Sequence, residues 1–190
     1  MQISKRELAY TSSRYFLIFI FISHLGWIWE TLYTFALDGI IYDRGFLALP
    51  ICPIYGSALL AQYFILGTVN EPRGLLKFAQ NQHARIPIYF CMSVLIPTIF
   101  ELLTGIFFTD IFNLRLWDYS DMNFNTGGHI ALYISVMWGI MIFIFMNIAF
   151  PLIKRKVFDL PRKACVMIAV PTAIATAIDF VIQTAHLFIR

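Results

Sequence analysis

Two glutamates interrupt stretches that are otherwise apolar, Glu30 in YFLIFIFISHLGWIWETLYTFAL and Glu101 in IPIYFCMSVLIPTIFELLTGIFF. A carboxyl group among hydrocarbon is costly and is rarely turned toward lipid, so it marks a packed or watery interior and a site of binding or proton coupling. Trp27, Glu30, Thr31 and Thr34 recur at helical spacing and form one polar-aromatic stripe. Pro97, Glu101 and Thr104 form another. Pro97 removes a backbone donor and deprives the Ser93 carbonyl of its usual partner, so a kink just before Glu101 would open space for water or a ligand. The plainer reading makes both glutamates neutral or paired packing elements. A membrane setting favours the functional one.

Three further groups could join such a site. Thr172, Thr176, Asp179, Gln183 and His186 step by four, three, four and three, so they share one helical face. That face reads equally as the wall of a polar cavity or as an interhelical hydrogen-bond seam. Arg44 could pair with either glutamate or clamp an anionic head group, against a solvated arginine as the plain alternative. The loop Trp117-Asp118-Tyr119-Ser120-Asp121, with Asn123, Asn125, Gly127, Gly128 and His129, is the most polar outer segment. Trp117 and Tyr119 suit interface anchoring. Asp121, Asn123 and Asn125 imitate the start of a calcium loop, but Thr126 and Leu132 stand where Gly and Glu are required. A looser metal site on Asp118, Asp121 and His129 competes with ordinary turn chemistry, which such loops usually serve.

The elements that must position these residues are membrane helices. The 190 residues are 59% hydrophobic and 13% charged with mean hydropathy +0.74, too little charge for a soluble surface of this size. Five stretches approach the roughly 20 apolar residues a spanning helix needs. They are about 15–37, 50–70, 86–108, 130–153 and 165–189, the second weakened by Pro50, Pro53, Gly56 and Gln62. They predict an all-α polytopic bundle forming a single transmembrane domain over 1–190. The first span lacks a small-residue cleavage site and reads as a retained helix. Lys and Arg outside the spans number 3, 1, 3, 1, 5 and 1 from the N-terminus to the C-terminus. That alternation puts the N-terminus in the cytoplasm and the C-terminus outside. Glu30 and Glu101 then both fall in outer membrane halves.

Net charge is only +3, which argues against a nucleic-acid partner. Cys52, Cys91 and Cys165 are scattered, with no spacing for zinc or a disulfide framework. No GxSxG, P-loop or HExxH motif is present, so the chain has no familiar means of hydrolysing ATP. No cofactor is expected.

Several separated motifs carry a resemblance. Gly26-Trp27 with Glu30-Thr31 is followed by Arg44-Gly45-Phe46 and Cys52-Pro53-Ile54-Tyr55-Gly56. Then come Phe100-Glu101 with Thr104, Trp117-Asp118-Tyr119-Ser120, Phe124-Asn125, Gly128 and Trp138-Gly139. In this order, over about residues 15–150, they resemble the ABC-transporter type IV (CmpB-like) permease family of bacterial membrane proteins. The resemblance implies a multipass protein of the bacterial cytoplasmic membrane with a permease-like role, and no particular substrate. Two positions depart from the family pattern: Leu49 where Gly is expected, and His129 where Arg is expected.

Three functions follow. A transport component would use Glu30, Glu101 and Asp179 for binding or proton coupling. It would require a separate ATP-binding subunit, docked near Arg73–Arg85 or Lys154–Lys163. A membrane-embedded enzyme acting on a lipid or envelope precursor would use Glu30, Glu101 or Asp118 as acid or base and Arg44 to hold a phosphate. It lacks an evident nucleophile. In a scaffold the polar stripes would only pack helices. Transport ranks first and enzyme second. Membrane lipids are the expected surroundings, and a bundle this small suits homo-oligomerisation.

Overall fold

The computed structural model describes residues 5–41 and 45–189. Five α-helices dominate: α1 (Lys5–Asp38), α2 (Pro53–Leu66), α3 (Gln82–Phe112), α4 (Leu132–Asp159) and α5 (Arg162–Ile189). A 3-10 turn covers Gly74–Phe78, and β1 (Asn125–Thr126) pairs antiparallel with β2 (Ile130–Ala131). Four helices are long and apolar enough to cross a membrane by length and composition. The protein is thus an all-α membrane protein of helix-bundle class.

The second helix departs from expectation. Predicted over 50–70, it has 14 residues. At 1.5 Å per residue it is about 21 Å long, short of the roughly 30 Å hydrocarbon core. The cause is local. Residues preceding a proline are pushed out of the helical region, and Leu49-Pro50 and Cys52-Pro53 fall in succession. Pro53 then starts the helix, where its missing N–H costs little. Gly67, at φ +74°, ends it with its N–H on the Tyr63 carbonyl at 2.8 Å.

α3 has defined caps. The Asn81 side chain accepts from the Ala84 N–H at 2.8 Å. Left-handed Asn113 closes the other end, where the Leu114 N–H reaches the Phe108 carbonyl at 3.1 Å. Pro87 and Pro97 both lie inside this helix.

The chain divides into two compact units, Met1–Gly56 with Leu152–Arg190, and Ser57–Pro151. In the first, α1 packs on α5, with Ile18, Ile22, Leu47, Ile51, Cys165 and Ala169 buried. Its α1 start is tied to the α4–α5 turn by the Arg162–Glu7 ion pair and by Arg14 over the Phe158 ring at 5.1 Å. In the second, Tyr63, Leu66, Leu76, Tyr89, Met146 and Phe150 are buried, with the Tyr63 and Phe150 ring centroids 4.6 Å apart.

Candidate functional site

Each unit holds one intramembrane glutamate, and a tyrosine hydroxyl reaches each of them. In the first unit the Tyr55 hydroxyl donates to Glu30 Oε1. The tyrosine gets there because Gly26, one turn before Glu30, leaves its flank bare. A Cβ at Gly26 would overlap the Tyr55 ring. Gly56 plays the complementary part, since a Cβ there would fall 2.6 Å from the Phe19 carbonyl oxygen and against Ser23. Small residues at helix contacts let backbones approach closely. The Gly26 and Tyr55-Gly56 motifs are therefore the two sides of one contact that aims a phenol at a carboxylate. Thr34 belongs to helix packing, its hydroxyl bonded to the Glu30 carbonyl at 2.7 Å. Trp27 stacks on His24 with centroids 5.9 Å apart.

Asp179 does something the sequence did not reveal. Its carboxylate accepts two consecutive backbone N–H groups, Ala48 at 3.3 Å and Leu49 at 2.8 Å, and Gln183 Nε2 lies 3.4 Å from Oδ1. From α1, the Ser23 carbonyl accepts the Cys52 N–H at 2.9 Å, and His24 Nδ1 lies 2.7 Å from the Pro50 carbonyl oxygen. That carbonyl can only accept, so Nδ1 carries the proton. Together these groups clasp the irregular segment before α2. Within hydrocarbon such backbone is tolerated only where protein or water satisfies its polar groups. Of the rest of the predicted stripe, Thr172 bonds back to the Ile168 carbonyl at 2.8 Å and His186 is exposed. Arg44 lies outside the described residues.

In the second unit Glu101 is 9% exposed and accepts from the Tyr119 hydroxyl at 3.0 Å. The loop that brings Tyr119 there is held by its own polar residues. Trp117 Nε1 donates to the His129 carbonyl at 2.7 Å, and the Tyr119 N–H to the Gly128 carbonyl at 2.9 Å. Asn125 Nδ2 donates to the Ser120 and Met122 carbonyls at 3.1 and 2.8 Å, while its Oδ1 accepts the Gly128 N–H at 3.1 Å. Asp118 takes the Ser120 N–H and hydroxyl at 2.9 and 2.5 Å and pairs with Arg115 at 2.7 Å. The Ser120 bonds, with Arg115 beside them, hold the Asp118 carboxyl down at about 2. Asp118 and Asn125 thus carry turn chemistry, and Asp121 is exposed.

Gly128, at φ +74°, has no room for a side chain. A Cβ would meet Ser120 Oγ at 2.5 Å, Asp118 Oδ1 at 2.6 Å and Arg115 Nη1 at 2.7 Å. The guanidinium of Arg115 thereby stands next to the position where the family pattern expects an arginine and this chain has His129. The His129 ring instead lies along Gly105, 2.8 Å from where a Cβ would be. Among the described residues no group of three His, Cys, Asp or Glu could hold a metal ion.

Sequence reasoning also missed a buried polar chain between α2 and α3. Gln62 Nε2 donates to Ser93 Oγ at 2.7 Å, Ser93 Oγ to the Tyr89 carbonyl at 2.9 Å, and the Tyr89 hydroxyl to the Gly67 carbonyl at 3.0 Å. All three side chains are fully buried. The signal available was Gln62 itself, a polar residue inside an apolar run.

Residues 17–184 match the model of the family described as "Putative ABC-transporter type IV". The chain belongs to that family and is a transporter-class membrane protein. No curated protein and no solved structure matches it.

Proposed function

We propose that this protein is the permease-like component of a transporter in the bacterial cytoplasmic membrane. The proposed working groups are its intramembrane carboxylates, Glu30 and Glu101, each serving in binding or proton coupling. The observation carrying this reading is the tyrosine hydroxyl on each glutamate. Two separate lengths of chain build a phenol–carboxylate pair inside a spanning helix, where an apolar residue would pack more cheaply. Arg44 keeps the alternatives its sequence position offers, a partner for Glu30 or Glu101 or a clamp for an anionic head group. Asp179 supports the site by keeping the segment before α2 in place. Trp117, Asp118, Tyr119, Asp121 and Asn125 form the outer loop that delivers Tyr119. Outside is assigned by the alternating Lys and Arg counts, with the irregular segment before α2 and α2 taken together as the second of five crossings.

Energy would come from a separate ATP-binding subunit on the cytoplasmic side. The loop around Gly74–Phe78 suits that docking. Arg73 lies over the Tyr63 ring at 4.4 Å and the Val69 N–H bonds Asn147 Oδ1 at 2.8 Å, so the segment leading into the loop is anchored. Leu75 and Phe78 nevertheless stand out, Phe78 at 85% exposure. The enzyme alternative has less support, because Asp118, one of its candidate acids or bases, is engaged by Ser120 and Arg115.

The test is purification of the tagged protein from its native membrane in mild detergent. A stoichiometric ATP-binding subunit is expected in the mass spectrum, and Phe78→Asp is expected to lower its recovery at least tenfold. Recovery of the chain without such a subunit contradicts the proposal.

A further inference from the structure

The turn between α4 and α5 carries bases that the proposed transport role leaves unused. Lys154, Arg155, Lys156, Arg162 and Lys163 flank it, and Arg14 of α1 lies against it. Glu7, Tyr10 and Arg14 step by three and four, so they share one face of α1. That face meets the turn. Arg162 pairs with Glu7 and lies over the Tyr10 ring at 5.4 Å, while Arg14 lies over the Phe158 ring at 5.1 Å. All of these residues belong to the first unit.

The two arginines differ in how their charge is met. Arg162 has a carboxylate, and Arg14 has none among the described residues. Its Nη2 reaches only the Leu160 carbonyl at 3.5 Å, the outer limit of a hydrogen bond, and its Nε is buried with no partner. A half-buried guanidinium with most of its donors unused calls for an anion, and phosphate oxygens fit its fork. Lys156 and Lys163 are exposed and make no ion pair among the described residues. Arg155 and Asp159 meet only at 4.0 Å with both side chains mostly in solvent, so that pair neutralises little.

The bases sit where apolar runs end. Arg14 directly precedes the run that opens with Tyr15, Lys154 directly follows Ile153, and Lys163 directly precedes Ala164 and Cys165. Beside them Leu152, Met167 and Ile168 are exposed, on helices long and apolar enough to cross a membrane. Positive charge at the ends of three such helices, bordered by exposed hydrocarbon, matches the layer of a bilayer where lipid phosphates lie over acyl chains. Positive-inside ordering makes this the cytoplasmic leaflet. Clusters of Lys and Arg at that surface attract anionic lipids. An acidic protein surface would complement the bases but leave the hydrocarbon beside them unmatched, whereas an anionic phospholipid satisfies both.

We propose that Arg14 and the α4–α5 turn bind the phosphate of an anionic phospholipid of the cytoplasmic leaflet. The Arg14 guanidinium holds the phosphate, and Lys156 and Lys163 supply the surrounding positive charge. The site prefers phosphatidylglycerol to phosphatidylcholine, because only the former carries net negative charge. This proposal is independent of Glu30, Glu101 and any ATP-binding partner.

The test is lipid retention by the full chain. The protein is purified in detergent, given mixed micelles with equal amounts of phosphatidylglycerol and phosphatidylcholine, and weighed by native mass spectrometry. Phosphatidylglycerol is expected to be retained at least fivefold over phosphatidylcholine. Arg14→Gln should bring that ratio close to one. The double variant Lys156→Gln/Lys163→Gln should at least halve it, and it alters only exposed side chains, so it decides the matter if Arg14→Gln fails to fold. Lys77→Gln, at an exposed lysine of the loop before α3, should leave the wild-type ratio. Equal retention of the two lipids by wild type overturns the proposal. So does a preference unchanged in folded Arg14→Gln or, where that variant does not fold, in the double variant. A loss in Lys77→Gln as large as in the double variant overturns it too, since the preference would then be diffuse. Displacement of the bound phosphatidylglycerol by excess inorganic phosphate overturns the assignment to a lipid in favour of free phosphate.

Discussion

At the scale of single residues, the phenol–carboxylate pairs set the terms. If Glu30 and Glu101 merely packed, the isosteric amides would keep the tyrosine contact and little would change beyond stability. If they bind or carry charge, Glu30→Gln and Glu101→Gln should lower the transporter's turnover by at least tenfold. Thermal-melting and gel-filtration profiles should stay near wild type. Tyr119→Phe removes one hydrogen bond, worth about 1 kcal/mol. It should lower turnover less than Glu101→Gln does. Asp118 offers an independent check, because its carboxyl is held at about 2. A depressed carboxylate contributes stability above the ordinary aspartate value of roughly 3.9, and that contribution is lost as pH falls through about 2. The Arg115–Asp118–Ser120 knot should therefore survive at pH 4. A carbon-13 titration of the Asp118 carboxyl should show a midpoint near 2, and a midpoint close to 4 contradicts the hydrogen bonding described. Gly128→Ala should lose about 1–3 kcal/mol, from positive φ and from collision with Ser120 and Asp118. Its effect is read as a lower melting temperature in detergent.

At the scale of elements, the shortness of α2 and the clasp before it belong together. The segment 47–52 is irregular because Pro50 lies within it and Pro53 follows it, and its N–H groups at 48, 49 and 52 are met by Asp179 and the Ser23 carbonyl. Asp179→Asn keeps one acceptor oxygen, whereas Asp179→Leu removes both and should cost roughly 2–4 kcal/mol. Amide exchange at Ala48 and Leu49 should accelerate strongly in the leucine variant and modestly in the asparagine variant. Equal exchange in all three proteins contradicts the clasp.

This is also where the limits of sequence reading show. α1, α3, α4 and α5 were legible because each is a long apolar run with charge beyond its ends. Glu30 and Glu101 were legible because a carboxyl group in such a run has few neutral explanations. The partners were not. Tyr55 sits 25 residues after Glu30, and Asp179 is 130 residues after the Leu49 amide it accepts. No local spacing encodes such pairings. Asp118 and Asn125 looked like site residues because turn-forming and ligand-binding residues share the same side chains. Only their bonding to Ser120, Met122 and Gly128 separates the two uses.

At the scale of the whole molecule, family membership over 17–184 makes this a transporter-class membrane protein. Each of its two compact units carries its own tyrosine-bound glutamate. The proposed energy source is a separate ATP-binding subunit, and the loop bearing the exposed Leu75 and Phe78 is its proposed point of attachment. The most direct measurement is ATP turnover of the complex purified from native membranes and returned to bilayers, compared among wild type, Glu30→Gln and Glu101→Gln. Co-purified ATPase activity that falls at least tenfold in each variant, with subunit stoichiometry unchanged, is the predicted result. Wild-type turnover in both variants, or a chain that brings no ATPase activity with it, contradicts the assignment of the glutamates to transport.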